Sequence, residues 1–189
     1  MSLLDSIKSK KKILKKTDTI VTQLDGKVYK ETKNNLEIIG SASGFVIDTK
    51  PDKIPAKIVD NLYLGSQDCC DIEVLKTFNI KSVLSIGINA PEKYPNIMYK
   101  FVDCLDLPET NIDNILSESV PFIQSSIDNN KNILVHCNAG VSRSTSVIIG
   151  FLILNKGYTY SESYDICKTA RGCIKPNEGF EKQLKLLRN

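Results

Sequence analysis

The chain has 189 residues, 41% of them hydrophobic, and a formal net charge of +3. This length suits one compact domain with a short extension, and such a domain buries enough apolar surface to fold without disulfide bonds. Six lysines and one acid lie in residues 1–16, so the other 173 residues carry 19 basic and 21 acidic side chains. A nearly neutral body without a basic stripe argues against nucleic-acid binding.

The cysteines and the hydropathy pattern indicate the compartment. No charged-then-apolar signal segment opens the chain, and no apolar run approaches the roughly 18–20 residues that a membrane span requires. We therefore expect a cytoplasmic protein, with the nucleus as a second location, and its six cysteines as thiols. Cys69–Cys70 and the isolated cysteines lack zinc-site spacing, so we expect no metal.

Residues 1–50 are predicted to form an N-terminal extension. Leu3, Ile7 and Leu14 recur at helical spacing among lysines, which leaves open a solvated terminus, membrane-surface contact or a nuclear-import signal. Two β-prone runs then flank Asp25-Gly26 and predict a hairpin. The sequence "GSASG", residues 40–44, predicts a flexible joint.

Residues 51–189 are predicted to alternate strands and helices. Pro51 and Pro55 favour an extended entry, and "IVDNLYLGS" predicts one strand. Further strands are predicted at "IKSVLSIG", "NIMYKFVDC" and "NILVHC", and helices at 70–79, 112–128, 142–157, 160–170 and 178–188. This order indicates an α/β domain with a mostly parallel central sheet flanked by helices. The nearly all-apolar "NILVHC" is typical of a central strand.

The segment "HCNAGVSRS", residues 136–144, joins this central strand to the next helix. Ligands bind at that edge of an α/β sheet, where backbone N–H groups and a helix N-terminus can surround an anion. Cys137 and Arg143 enclose five residues, and a guanidinium can hold two phosphate oxygens at once. The same dipoles should favour the nucleophilic Cys137 thiolate. Each residue alone is ordinary, but together they predict a phosphate site with a nucleophile.

The segment resembles the HCxxGxxR signature of cysteine-dependent protein phosphatases, in the HCxAGxSRS form of the dual-specificity phosphatases. The sequences "LYLGSQD", "LDLPETNI" and "ARGCIKPNEGFEKQL" extend the resemblance over most of the chain, toward atypical members that act in stress-activated protein kinase pathways. The resemblance implies a protein tyrosine phosphatase-like fold with the catalytic domain at residues 51–189. It also implies hydrolysis of phosphotyrosine and phosphoserine/phosphothreonine through a cysteinyl-phosphate, without a cofactor.

The resemblance also implies a role for each matching residue. Cys137 is the nucleophile, Arg143 a phosphate ligand, and Ser144 a hydrogen-bond donor to the sulfur. The phosphate-binding loop comprises Asn138, Ala139, Gly140, Val141, Ser142 and Arg143. His136 precedes the nucleophile on a strand, so its side chain points to the opposite face, and the family uses it to orient the loop. Asn177 fits two roles, a brace for the loop or a helix N-cap.

The general acid is predicted in the segment "DCLDLPETN", which offers Asp103, Asp106 and Glu109. Asp106 begins a turn-like Asp-Leu-Pro-Glu at a strand exit and matches the family's acid position. A turn-forming aspartate is the alternative role of this residue. Cys104 lies close by in sequence, and a protective disulfide with Cys137 stays open.

The expected substrates are phosphorylated proteins, with mitogen-activated protein kinases as a candidate class by resemblance. Lipid and RNA phosphatases usually carry lysines inside the loop, which residues 138–142 lack. Non-catalytic phosphopeptide-binding relatives lose the cysteine or the arginine, and both are present. A rhodanese-type or arsenate-reducing enzyme is disfavoured because Asp106 precedes the loop. The physiological substrate, the oligomeric state and the role of residues 1–50 stay open.

Overall fold

The computed structural model describes residues 19–22, 27–32, 35–41 and 52–187, which divide into two compact units, before and after residue 43. The first unit is an antiparallel sheet in the order β1-β2-β3, with strands Thr19–Thr22, Lys27–Thr32 and Asn35–Ser41. The predicted hairpin therefore gains a third strand, because Gly40 pairs with Val28 instead of starting a joint. The predicted basic segment, the Asp25-Gly26 turn and Pro51 lie outside the described residues.

The second unit contains a five-stranded sheet in the order β4-β5-β8-β6-β7. Its strands are β4 Ala56–Val59, β5 Leu62–Gly65, β6 Ile80–Ile86, β7 Met98–Val102 and β8 Asn132–His136. All neighbours run parallel except β4, which is antiparallel to β5. The predicted α/β class and mostly parallel sheet are confirmed. The single strand predicted at "IVDNLYLGS" is wrong, because Asn61 adopts a left-handed conformation (φ 63°) that turns the chain back.

Helices cover both faces of this sheet. They are α1 Ile72–Thr77, α2 Ile112–Asp128, α3 Arg143–Phe151, α4 Tyr160–Ala170 and α5 Glu178–Leu186. The Asn111 side chain caps α2 by accepting from the N–H of Asp113, which explains a start where the sequence predicts it. A π-helical turn, Leu152–Lys156, extends α3 and ends at Gly157 (φ 81°). Among the described residues, no helix is long and apolar enough to cross a bilayer.

The central strand β8 separates two apolar clusters. Ile133 and Val135 pack in the larger cluster, which includes residues of α2 and α3, whereas Leu134 packs in the smaller one with residues of α1. Because side chains alternate along a strand, His136 follows the Leu134 face, and Cys137 joins the larger cluster. The loop after β8 therefore begins with a sulfur on the α3 side of the sheet.

Candidate active site

Cys137 lies at the base of the loop between β8 and α3 and is 2% exposed. The hydroxyl of Ser144, in the first turn of α3, donates to Cys137 Sγ at 3.2 Å. A hydrogen bond to sulfur is worth most when the sulfur carries negative charge, because charge-assisted bonds are stronger than neutral ones. The pair is therefore suited to stabilising a thiolate.

The carbonyl groups of the loop all accept hydrogen bonds from protein donors. Those of Asn138 and Val141 accept from the N–H groups of Gln67 at 3.0 Å and Lys175 at 2.9 Å. The carbonyl of Ser142 accepts from both the N–H and the hydroxyl of Ser146, at 2.8 and 2.9 Å. Within the part of the chain that the structure describes, no protein atom accepts from the N–H groups of residues 138–142. The loop therefore presents donors to an anion before one arrives.

Arg171 holds the two remaining carbonyls of the loop. Its Nε donates to the carbonyl of Gly140 at 3.0 Å and its Nη2 to that of Ala139 at 2.9 Å, while Nη1 pairs with the Asp52 carboxylate. Sequence analysis missed both Arg171 and Asp52. The rarity of arginine, with three in a chain of 25 Lys and Arg residues, was a signal for Arg171, whereas nothing in the sequence marks Asp52.

Gly140 has φ 65°, a backbone conformation that favours glycine. A Cβ at this position would lie 2.6 Å from the carbonyl oxygen of Gly65 and 3.0 Å from Arg171 Nε. The loop therefore needs glycine here for its conformation and also for its close approach to β5.

Arg143 opens α3, and its Nε is buried without a hydrogen-bond partner among the described residues. A buried guanidinium nitrogen that is left unpaired is costly, so it marks a position prepared for an acceptor that a ligand supplies. Its Nη1 lies against Gly87, where a Cβ would stand 2.4 Å away and only 2.2 Å from the carbonyl oxygen of Cys104. Gly87, at φ 70° after β6, is a further site residue that sequence analysis missed.

His136 is fully buried beneath the loop. Its Nε2 lies 2.7 Å from Ser85 Oγ and its Nδ1 lies 3.3 Å from the carbonyl oxygen of Cys137. Burial, with a smaller contribution from the Arg143 charge, lowers the pKa of His136 to about 4. The neutral ring can donate from Nδ1 to the Cys137 carbonyl and accept from Ser85, which fixes the base of the loop.

Asp106 lies over the loop and contacts its far end. Its Oδ1 accepts from the hydroxyl of Ser142 and from Nδ2 of Asn177, both at 2.7 Å. The N–H of Asn177 donates to Ser142 Oγ at 3.0 Å, and its Oδ1 caps α5 by accepting from the N–H of Phe180 at 2.9 Å. Asn177 thus combines both roles left open by the sequence. No loop hydrogen bond involves Asp103 or Glu109 among the described residues.

The segment that carries Asp106, which we term the acid loop (residues 105–111), is fastened to α5. Gln183 Nε2 donates to the carbonyl of Thr110 at 2.9 Å, and Gln183 Oε1 accepts from the N–H of Ile112 at 2.9 Å. At Gly179, a Cβ would stand 1.9 Å from the carbonyl oxygen of Pro108. The acid loop and the first turns of α5 therefore pack backbone to backbone.

Four other buried cysteines differ from a nucleophile in their surroundings. Burial raises the pKa of Cys69 to about 11 and the pKa values of Cys70, Cys104 and Cys167 to about 12. The Arg143 charge acts to lower the pKa of Cys104 and the charges of Asp106 and Cys137 act to raise it, but burial has the largest effect. These groups stay thiols at neutral pH, so Cys104 is a slow attacking group for disulfide exchange. In the described ranges, no group of three His, Cys, Asp or Glu side chains is arranged to hold a metal ion.

A loop with free backbone N–H groups between a cysteine and an arginine defines the class of cysteine-dependent phosphatases. Comparison with known proteins identifies the family. Residues 62–189 match the dual specificity phosphatase catalytic domain. A probable dual specificity protein phosphatase of Dictyostelium discoideum is 34% identical, over 97% of this chain and 96% of that protein. Mouse dual specificity protein phosphatase 19 is 35% identical, over 91% of this chain and 83% of its own length. The chain belongs to the dual-specificity phosphatases and is a protein phosphatase.

Solved structures share this fold. The crystal structure of DUSP15 aligns with a TM-score of 0.65 at 31% identity, over 69% of this chain and 85% of that one. The human tyrosine phosphatase-like serine/threonine/tyrosine-interacting protein aligns with a TM-score of 0.66 at 26% identity, over 71% and 95%. The resemblance inferred from the sequence is confirmed, and the family activity is dephosphorylation of phosphotyrosine and phosphoserine/phosphothreonine in proteins.

Proposed function

We propose that this phosphatase works through a cysteinyl-phosphate intermediate with Cys137 as the nucleophile and Asp106 as the general acid. The observation that carries the proposal is the loop that follows Cys137. Its carbonyls all accept from protein donors, whereas the N–H groups of residues 138–142 have no protein acceptor among the described residues and are available to an anion. A phosphate in this cradle places its phosphorus over Sγ. Arg143 Nε is available for a phosphate oxygen.

In the first step, the Cys137 thiolate forms the S–P bond while the P–O bond to the substrate side chain breaks. The leaving oxygen takes a proton from Asp106. We assign that proton to Oδ2, because Oδ1 already accepts from Ser142 and Asn177. In the second step, Asp106 takes a proton from water, the water oxygen bonds to phosphorus and the S–P bond breaks. The Ser144 hydroxyl then stabilises the departing thiolate.

Membership of the family indicates that the substrates are phosphoproteins. Among phosphoproteins, we propose mitogen-activated protein kinases as the specific substrate class. The support for this class is the resemblance of the sequence to atypical members that act in stress-activated protein kinase pathways. A panel of phosphopeptides that includes activation-segment sequences of these kinases tests the proposal. Equal kcat/KM values across unrelated sequences would contradict it.

The mechanism is tested with Cys137→Ser and Asp106→Asn in the full chain. We expect Cys137→Ser to abolish turnover of p-nitrophenyl phosphate while it still binds phosphopeptides, because the cradle stays intact. We expect Asp106→Asn to lower kcat by about 10²–10⁴ for phosphoserine peptides. The loss should be smaller for p-nitrophenyl phosphate, whose leaving group needs no proton.

Two results would contradict this mechanism. Appreciable turnover by Cys137→Ser would exclude covalent catalysis at that sulfur. An equal loss of kcat for Asp106→Asn with all leaving groups would show that another residue is the general acid. Phosphopeptide binding without turnover in the wild-type protein would instead favour a non-catalytic binding module.

A further inference from the structure

The side of the phosphate-binding loop that faces away from substrate depends on one buried arginine. Arg171 is 7% exposed and uses its planar fork on two successive loop carbonyls, those of Ala139 and Gly140. A lysine ammonium cannot reproduce this planar pair of bonds. Arg171 therefore fixes the orientation of two peptide units rather than simply adding positive charge.

These two peptide units also carry two of the donors that face the anion. The carbonyl of Ala139 shares its peptide unit with the N–H of Gly140, and the carbonyl of Gly140 shares one with the N–H of Val141. A carbonyl that accepts from a charged donor polarises its own peptide unit, which strengthens the N–H on the opposite side. Arg171 thus acts on a bound phosphate through the backbone, without touching it.

Asp52 fixes Arg171 from a distant part of the sequence, 119 positions earlier. Its Oδ2 pairs with Arg171 Nη1, and its Oδ1 accepts from the N–H of Ile54 at 2.9 Å. Its backbone carbonyl accepts from the hydroxyl of Ser66 at 2.9 Å and from Cys69 Sγ at 3.3 Å. Both the backbone and the carboxylate of Asp52 are therefore held in place.

We infer that Asp52 and Arg171 are a pair of positioning residues that hold the phosphate-binding loop in its anion-binding form. Asp52 precedes the region that matches the catalytic domain, which begins at residue 62, by ten positions. The working active site thus includes a segment upstream of the family match. The inference rests on the proposed function, in which the loop binds the phosphate of the substrate.

Lys53, the residue after Asp52, provides a matched control substitution. Lys53 Nζ pairs with Asp71 Oδ2 at 2.8 Å, with side chains 59% and 34% exposed. This pair ties the same segment to the start of α1 and makes no contact with the loop. Lys53→Gln thus removes an ion pair of the same segment without disturbing the loop carbonyls.

The experiment compares Asp52→Asn, Arg171→Lys and Lys53→Gln in the full chain. The measurements are the inhibition constant of orthovanadate, kcat and KM for p-nitrophenyl phosphate, and the unfolding temperature. We expect Asp52→Asn and Arg171→Lys to raise the vanadate inhibition constant about tenfold, the effect of losing one hydrogen bond to a charged group. KM should rise with it, and Lys53→Gln should leave both within about twofold.

The sign of the Asp52→Asn effect separates two explanations. Through-space electrostatics alone predicts tighter vanadate binding, because the variant removes a negative charge, whereas loss of positioning predicts weaker binding. Tighter binding would overturn the inference. So would a lower unfolding temperature with unchanged vanadate inhibition, which would show a structural role only. Asp52 is 32% exposed and asparagine has nearly its shape, so this variant keeps the test valid even where Arg171→Lys fails to fold.

A second arm separates this inference from the proposed chemistry. Phosphate binding is measured by calorimetry with Cys137→Ser alone and with Cys137→Ser combined with Asp52→Asn. Weaker phosphate binding in the double variant supports the positioning pair even where the wild-type protein proves inactive. Equal binding contradicts the pair even where the covalent mechanism holds.

Discussion

The two sides of the phosphate-binding loop each carry one arginine, and the two arginines are used in opposite ways. On the side of α3, Arg143 has a buried Nε without a partner among the described residues. On the outer side, Arg171 donates from Nε, Nη1 and Nη2 to protein acceptors. The contrast shows that Arg143 has a donor available to the substrate, whereas the donors of Arg171 stabilise the loop itself. An anion site of this kind is organised before the anion binds.

Replacing Arg143 is the strongest test of this contrast between the two arginines. We expect Arg143→Lys to lower kcat/KM for p-nitrophenyl phosphate by about 10²–10³, the usual loss for a donor that stabilises transition-state charge. The unfolding temperature should change little, because Arg143 Nε bonds to no protein acceptor in the described part of the chain. A kcat/KM within about twofold of the wild-type value would remove Arg143 from the phosphate site.

A substitution at Gly87 tests whether the space around Arg143 matters as well as its charge. Gly87→Ala forces a left-handed backbone on a residue with a Cβ and brings that Cβ against Nη1 of Arg143. We expect a loss of roughly 1–3 kcal/mol in the free energy of unfolding, and about 10²-fold in kcat/KM from the displaced guanidinium. Both are measured with denaturant titration and steady-state kinetics.

Gly172→Ala is the control for this substitution. A Cβ there meets nothing within 4 Å, and the residue follows the same outer arginine. This variant should behave like the wild-type protein. An equal loss of activity in both variants would show that the effect at Gly87 is not specific to Arg143.

The last prediction concerns the base of the loop and the pH dependence of stability, with no change expected in the chemistry at Cys137. Because burial lowers the folded-state pKa of His136 from 6.5 to about 4, the unfolded chain binds a proton that the folded chain does not. Stability should therefore decrease as pH falls from about 6.5 towards 4, by up to about 3 kcal/mol. Urea unfolding at pH 7, 6 and 5 measures the slope. His136 is the sole histidine of the chain, so a flat profile over that range would show that it is not buried in its neutral form.

Local patterns in the sequence predicted much of the fold. The apolar run of β8 and the capped, periodic helix α2 were both recognised, because their determinants lie within a few residues of each other. The division of residues 56–65 into two strands was missed, because it depends on one left-handed asparagine in an otherwise strand-like sequence. The third strand of the N-terminal sheet was missed because it includes Gly40, and a glycine in such a sequence is also common in flexible joints.

The candidate site shows the same limit. Cys137, Ser144 and Arg143 share one short motif, and the hydrogen bond between the first two follows from their spacing in the loop. The Asp52–Arg171 pair spans 119 positions, and no local pattern relates its two members. Gly87 was missed because its requirement comes from the carbonyl of Cys104 and the guanidinium of Arg143, which lie on other elements.

The close packing of the acid loop on α5 has a kinetic consequence. Gln183 holds both ends of the segment from Thr110 to Ile112, and Pro108 leaves no room for a side chain at Gly179. Protein contacts alone therefore hold Asp106 at the phosphate-binding loop, so a lid-closing step is not needed before proton transfer. Turnover should be insensitive to solvent viscosity, since no large segment has to swing shut through the surrounding water in each cycle.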